Sequence, residues 1–500
     1  MITVLILISA VGILAWGFAR ARPFGKVGVL AWLQSVVLML PWLLFFGLFT
    51  LGIYLNIAAV LLLLVLSIGL YVVLGRQVRA LGQDPATMRR LANLANAQSS
   101  TDGEAIASAD SSPAESSKTA PPPTDGIPSL EKIPAEDLQA IQGIFGIDTF
   151  FATETIPYMD GAIFKGNLRG EPEAAHAQLS TSLKERLGDR YRLFLINGPD
   201  ERPTMVVLPS SSEPPKSSKA QLAFAIVLAL ATVATCLEAA GLLLGFDFFA
   251  APDRLVETLP IAGGIILTLA AHDIGHWVLA RRHHIRLSPP FFIPTWQLGS
   301  LGSLVRFESL LPNRNILFDI SFAGPAAGGV VSLVILLLGL VLSLNGSSFS
   351  IPPSFFQGSI LVGTLAKVVL GDALQQPVVP VHPFVAVGWI GLVVTALNVM
   401  PAGQLDGGRI VQAIYGRKVA GRATIATVIV LGVASLVNPL ALYWAIVILF
   451  VQRNSERPAL NEVSEPDDAR AALGLLILFL MVATLLPLTP GLAGRLGIGG

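Results

Sequence analysis

Long apolar runs, broken by short basic loops, dominate both ends of the chain. Ile2 to Phe18, Val27 to Phe49 and Leu51 to Leu74 read as three membrane helices, closed by Arg76, Arg79, Arg89 and Arg90. A second block begins after Lys216 and Lys219. It predicts helices over about 221–246, 256–280, 316–343, 383–401, 422–437, 440–452 and 471–488. The stretch 351–371 is too interrupted to assign, and the runs at 422–452 are short. The expected fold is a polytopic α-helical membrane protein of about 8–10 transmembrane helices, with a small soluble α+β domain between two membrane blocks.

That middle segment has a different period. "AEDLQAIQGIFG" predicts a helix ending at Gly146. "EPEAAHAQLSTSLKERLG" predicts another, with Pro172 in its first turn and Leu179, Leu183 and Leu187 recurring every fourth residue. "TFFATETIP", "GAIFKGNL", "YRLFLI" and "TMVVL" predict strands. Upstream, residues 92–126 are rich in Ala, Ser, Pro and Thr and predict a disordered linker, too polar to build a core. The expected domains are therefore 1–91 (about three membrane helices), 92–126 (linker), 127–212 (soluble α+β) and 213–500 (second membrane block). No internal repeat is visible.

Composition agrees with the pattern: 53% of the 500 residues are hydrophobic and 13% charged, against about 25% charged in soluble globular proteins. The formal net charge is zero, so nothing in the bulk electrostatics favours a nucleic-acid partner. The single cysteine, Cys236, excludes an internal disulfide. The first apolar run has its positive charge after it (Arg20, Arg22, Lys26), the reverse of a signal peptide, so it is expected to be retained. No Arg- and Ser-rich transit leader is visible, and a bacterial plasma membrane or a thylakoid membrane fits best. If every predicted helix spans once, Arg20/Arg22/Lys26, Arg76/Arg79, Lys216/Lys219, Arg281/Arg282/Arg286, Arg409/Arg417/Lys418 and Arg453/Arg457 share one side. That side, and the soluble domain with it, is expected to be cytoplasmic.

Against this background "AAHDIGHWVLARRHH", Ala270 to His284, stands out. His272 and His276 lie at i and i+4, on one helix face, where two imidazoles can bind one metal ion. The chain has only six histidines. Helix-packing polar residues explain an isolated pair, but three ionisable groups within five residues of a membrane helix are costly and point to function. A third ligand is offered by Asp406 in "LNVMPAGQLDGGRI", three residues before Arg409 and so near the same membrane face. Two histidines and a carboxylate with an open fourth position make a hydrolytic zinc site. His283 and His284 read as an interfacial basic cluster, His176 as solvated, His382 as an interface residue, and Trp32 and Trp277 as interface anchors.

These residues carry a resemblance. "HDIGH" resembles the His-Glu-x-x-His motif of site-2 proteases, the intramembrane zinc metalloproteases of peptidase family M50. "NVMPAGQLDGG" is similar to that family's Asn-Pro-Asp-Gly motif through Asn398, Pro401, Asp406 and Gly407. "FKGNLRG", Phe164 to Gly170, resembles a signature of the cyanobacterial and plastid branch, which includes the plant proteins named for ethylene-dependent gravitropism-deficient and yellow-green mutants. The resemblance implies one zinc ion per chain held by His272, His276 and Asp406. It implies a substrate-steadying role for Asn398, and for Asp273 the place of the glutamate that activates water. It also implies that "PPFFIPTWQLGSLGSLVRF", Pro289 to Phe307, is a strand-like loop that pairs with an unwound substrate.

The implied reaction is endoproteolysis of transmembrane segments by zinc-activated water, with membrane-protein substrates and the lipid bilayer as partners. Asp273 departs from the family pattern. Its carboxylate is one methylene shorter than glutamate's, about 1.5 Å, and a general base must come within about 2.6–3.2 Å of the water. Zinc binding should survive this change, while proteolysis should slow unless the local backbone compensates. Two other classes compete: a catalytically weak relative that acts as a membrane-helix scaffold, and a metal transporter. Three intact ligands argue against the first, and the lack of paired repeats against the second.

Overall fold

The computed structural model describes residues 133–499, apart from a few short breaks, together with scattered residues between 17 and 77. The linker and most of the first three predicted membrane helices lie outside the described residues. The chain divides into two compact units. One comprises Met1–Pro128 with Val428–Phe450 and includes the apolar helix Pro439–Phe450. The other comprises Ser129–Thr427 with Val451–Gly500 and contains every element described below, α8 in its part up to Thr427.

The second unit begins with an α+β layer: α1 (Ala135–Gln142), β1 (Phe150–Tyr158), β2 (Gly161–Leu168), α2 (Pro172–Leu187), β3 (Tyr191–Asn197) and β4 (Pro203–Pro209). The strands form one antiparallel sheet in the order β1-β2-β4-β3. The four-residue leucine period of α2 is what seats it on this sheet. Leu179, Leu183 and Leu187 are buried against Phe150, Phe164, Leu193 and Met205. α1 stops at Gln142, short of the expected end at Gly146, because Gly143 caps it and the next residues turn toward β1. His176, expected to be solvated, instead packs from α2 against β3, with Nε2 3.1 Å from the Leu193 carbonyl.

Then come α3 (Lys219–Leu243), α4 (Leu255–Arg282), the hairpin β5 (Phe291–Thr295) and β6 (Gly299–Leu304), α5 (Arg314–Ser343), α6 (Ile360–Leu370), α7 (Phe384–Asn398), α8 (Asp406–Ala434) and α9 (Asp468–Leu485). The stretch left unassigned at 351–371 resolves into a single turn at Ser354–Gln357 and α6, separated by Gly358 and capped by the Ser359 hydroxyl. Among the described residues, four helices are long and apolar enough to cross a membrane: Lys219–Leu243, Pro252–Arg282, Arg314–Ser343 and Asp468–Leu485. α7 is apolar but shorter. Of the 8–10 spans expected from the sequence, the first three lie largely outside the described residues. Outward-facing Phe224, Val227 and Leu230 on α3, and Ile274, Trp277 and Val278 on α4, are exposed apolar side chains suited to lipid.

α4, α5 and α7 form the centre of the bundle, and small residues let them approach. A Cβ on Gly275 of α4 would lie 2.4 Å from the Ala323 carbonyl oxygen of α5, and one on Gly388 of α7 would lie 2.4 Å from the Leu336 amide nitrogen of α5. Without a hydrophobic drive between helices in lipid, such backbone proximity is what packs them.

The α+β layer is joined to the bundle by main chain. The β3 edge at Leu195 exchanges hydrogen bonds with the segment Leu460–Glu462: the Leu195 amide donates to Leu460, and the Glu462 amide to Leu195. The same segment donates from Leu460 and Asn461 to Leu311 and Pro312, just ahead of α5. One stretch thus pairs with the β3 edge at Leu195 and with the chain ahead of α5.

Candidate metal centre

His272 and His276 sit on the inner face of α4, both buried, as the i and i+4 spacing dictates. Asp406 arrives from the far end of the sequence. α7 ends at Asn398, and the chain folds through 399–405 and restarts as α8 with Asp406 in its first turn. Gly407 and Gly408 make this reversal possible. A Cβ on Gly407 would fall 1.7 Å from the Val399 carbonyl oxygen, and one on Gly408 would fall 2.4 Å from that of Gly403.

The three side chains converge. His272 Nε2 is 3.1 Å from Asp406 Oδ2, His276 Nε2 is 3.3 Å from the same oxygen, and the two Nε2 atoms are 3.1 Å apart. A tetrahedral zinc with bonds of 2.0–2.1 Å would separate its ligand atoms by about 3.3–3.4 Å. The triangle is close to that size. Its chemistry also fits. His276 Nδ1 lies 2.7 Å from the Ile320 carbonyl, which can only accept, so Nδ1 carries the proton and Nε2 presents a lone pair inward. The carboxylate is shared in the same sense: Oδ2 faces the histidines, while Arg409 lies 4.0 Å from Oδ1. Two imidazole nitrogens and a carboxylate oxygen are the donor set of a catalytic zinc centre.

α5 forms the floor. Gly324 faces His276 so closely that a Cβ there would be 2.2 Å from Nε2, and a Cβ on Gly328 would be 3.0 Å from the His272 Cβ. The Gly-Pro-Ala-Ala-Gly-Gly run therefore leaves room for the imidazoles. The hairpin forms one wall. Its Ser303 donates to Asp273 Oδ1 at 2.5 Å, while Asp273 Oδ2 is buried with no hydrogen-bond partner among the described residues. Asn398 donates to Val394 at 2.9 Å and approaches the Leu301 carbonyl at 3.5 Å, which ties α7 to β6. His276, Ser303, Asn398, Gln404, Asp406 and Arg409 line a cavity of about 10 Å³, roughly the room of one water.

Of the sequence candidates, His272, His276 and Asp406 meet at a point, and Asn398 lines the cavity beside two of them. Asp273 is turned to the hairpin through Ser303. Four residues that sequence reasoning passed over also shape the site: Ser303, Gly324, Arg409 and Glu456. Arg409, counted above as a loop cation marking the membrane face, is buried. It makes 3.0 and 2.9 Å contacts to Glu456, donates to the Val305 carbonyl and stacks on Phe307. Its i+3 spacing from Asp406 on a helix was the one available signal. Among the outlying histidines, His283 lies 3.9 Å from Asp319 Oδ2, and His382 Nδ1 accepts from the Phe384 amide at the start of α7. Cys236 is a buried free thiol.

Fold and site together define a helical protein with apolar, membrane-length helices and a buried trio of metal-competent side chains. The sequence profile of peptidase family M50 matches residues 260–438, which holds both halves of the trio, and that of the EGY3 middle domain matches residues 139–215, the α+β layer. The chain is 36% identical over 408 residues to the probable zinc metalloprotease EGY1 of Arabidopsis thaliana, covering 74% of each chain. It is 38% identical over 368 residues to the probable zinc metalloprotease EGY2 of the same plant, covering 71% of this chain and 66% of that one. With the probable zinc metallopeptidase EGY3 it shares 33% identity over 389 residues, covering 72% and 67%. The chain belongs to the EGY branch of the M50, or site-2 protease, family. It spans 64–66% of the length of the EGY2 proteins it matches in Arabidopsis and rice. No solved structure matches it.

Proposed function

We propose that this protein is an integral-membrane zinc metalloprotease that hydrolyses peptide bonds in the membrane-spanning segments of other membrane proteins. The observation that carries the reading is the convergence of His272, His276 and Asp406, buried in a bundle whose outer helices are apolar. These three residues would hold the metal. Zinc, when bound, polarises a peptide carbonyl and makes water a usable nucleophile near neutral pH.

The remaining work falls to this chain's own side chains. Asp273 takes a proton from the attacking water as its oxygen bonds to the carbonyl carbon. It returns that proton to the amide nitrogen as the C–N bond breaks. The Asn398 amide lines the small cavity beside His276 and Asp406 and steadies the substrate carbonyl oxygen. A helical substrate hides its peptide bonds in its own hydrogen bonds, so the cleaved segment must unwind. β5, paired with β6 on one side only, offers an edge to hold it extended. Residues 127–212 act as a regulatory or substrate-selecting module on the cytoplasmic face, tethered to the first helices by the linker 92–126 and continuous with the membrane domain of 213–500. Main-chain bonds between Leu195 and Leu460–Glu462 support its coupling to the bundle.

The test is cleavage of a single-span protein in liposomes by the purified full-length chain. Cleavage should stop with a strong chelator and return on adding zinc. Chelator-insensitive cleavage, or none with several substrates, would refute the proposal.

A further inference from the structure

A shortened general base needs something to hold it in place, and the hairpin supplies it. Aspartate on α4 has two freedoms, rotation about χ1 and about χ2, that could turn its carboxylate away from its target. Here one oxygen is fixed: Oδ1 accepts from Ser303 Oγ at 2.5 Å. The other, Oδ2, is buried and has no protein partner among the described residues. A buried acceptor without a partner is costly, so its persistence marks an atom kept free for a transient partner. Ser303 is itself held firmly. It follows Gly302, whose φ of +103° and close approach to Asn398 (a Cβ would lie 2.3 Å from Nδ2) fix β6 against α7. Ser303 also lines the cavity that His276, Asn398 and Asp406 line.

We propose that Ser303 is a positioning residue, which clamps Asp273 Oδ1 so that Oδ2 serves as the base, and that it thereby adapts this site to aspartate where the family has glutamate. The proposal rests on the proteolytic function above. It assigns the compensation for the missing methylene to a hydroxyl on the hairpin and not to a shift of the α4 backbone. A glutamate at 273 would then carry its carboxylate about 1.5 Å further, past the position the clamp sets and into the Ser303 side chain.

The experiment uses the full-length protein and three readouts: zinc content, steady-state cleavage of a single-span substrate, and infrared difference spectra of the metal-free protein. The carboxylate band of Asp273 is isolated by subtracting the spectrum of Asp273→Asn. Ser303→Ala should keep zinc, lower kcat roughly 10- to 100-fold, as expected for a base misplaced by up to about 1 Å, leave KM unchanged and shift the Asp273 band. Ser303→Thr keeps the hydroxyl and should restore most of the rate. Asp273→Glu should lower kcat in the wild-type background but raise it in the Ser303→Ala background, a reversal that a merely structural serine would not produce. An unshifted band, or equal effects of Asp273→Glu in both backgrounds, would overturn the clamp while leaving the protease intact. A shifted band with no chelator-sensitive cleavage by the wild type would overturn the proteolytic function, and the catalytic role of the clamp with it.

Discussion

Replacing Gly324 with alanine tests the geometry of the metal centre through a residue that binds nothing. The added Cβ would stand 2.2 Å from His276 Nε2 and 2.5 Å from both neighbouring ring carbons, where ordinary contact begins at 3.4 Å. Something must therefore yield by about 1 Å. The ring cannot slide away freely, because Nδ1 is tied to the Ile320 carbonyl at 2.7 Å on the same helix. Nε2 leaves its vertex, and zinc sites tolerate only about 0.2 Å of such error. Metal affinity should fall by roughly 10- to 100-fold or more, and turnover by on the order of 100-fold. Helix propensity acts the other way, since Ala exceeds Gly by about 1 kcal/mol in a helix interior, so loss of fold is not the expected cause. Gly329→Ala on the same helix is the control: its Cβ would meet only Thr395 Cγ2 at 3.7 Å. The assay is zinc per chain by elemental analysis during graded chelation, run beside substrate cleavage. A Gly324→Ala protein that holds zinc as tightly as the Gly329→Ala control and cleaves within twofold of wild type would refute the reasoning.

Three further outcomes are expected. Asp273→Asn keeps the size but removes the base, so it should retain zinc and lose turnover by roughly 100-fold or more; cleavage at the wild-type rate would remove Asp273 from the mechanism. Glu456→Ala strands the buried Arg409 guanidinium, a loss of about 3–5 kcal/mol, and should lower the thermal midpoint and loosen zinc through Asp406; an unchanged midpoint would show the pair to be dispensable. Burial holds the His176 imidazole below its ordinary 6.5, so the unfolded state takes up a proton first and the α+β layer should lose stability as pH falls below about 6.5. Hydrogen exchange in α2 and β3 of the full-length protein, compared at about pH 7.5 and about pH 5.5, should quicken at the lower pH and be flattened by His176→Gln.

The parts of the site that were legible in the sequence are those written at fixed spacing. His272 and His276 declare a shared helix face, and the three-residue spacing of Asp406 from Arg409 places it near the same membrane face; that a helix begins at Asp406 was not read from the sequence. The leucine period of α2 and the alternation of the four strands were equally open to reading, because local periodicity is set by the backbone. The missed residues owe their roles to contacts across the fold. Nothing near Ser303 in the sequence shows that it faces Asp273, thirty residues earlier. Gly324 reads as one more small residue in a membrane helix until α4 is packed on it. Arg409 reads as a loop charge until Glu456 is found beside it. Helix length was less legible than helix existence: α7 is as apolar as a membrane span but shorter than one.

The segment that pairs with the β3 edge has a consequence for biogenesis. Leu460 is translated 265 residues after Leu195, the strand residue it pairs with. At roughly 5–20 residues per second that interval is about 13–50 s. Throughout it Leu195 on the β3 border is unpaired, and Leu311–Asn313 ahead of α5 lack the backbone partners they later gain. The nascent chain is thus held incomplete until most of its membrane helices have been made, and the last stretch before α9 acts as a latch on assembly. A chain truncated before residue 460 would keep His272, His276 and Asp406 yet present an unpaired Leu195 on the β3 border to its neighbours, a state that chaperones or a quality-control protease can recognise.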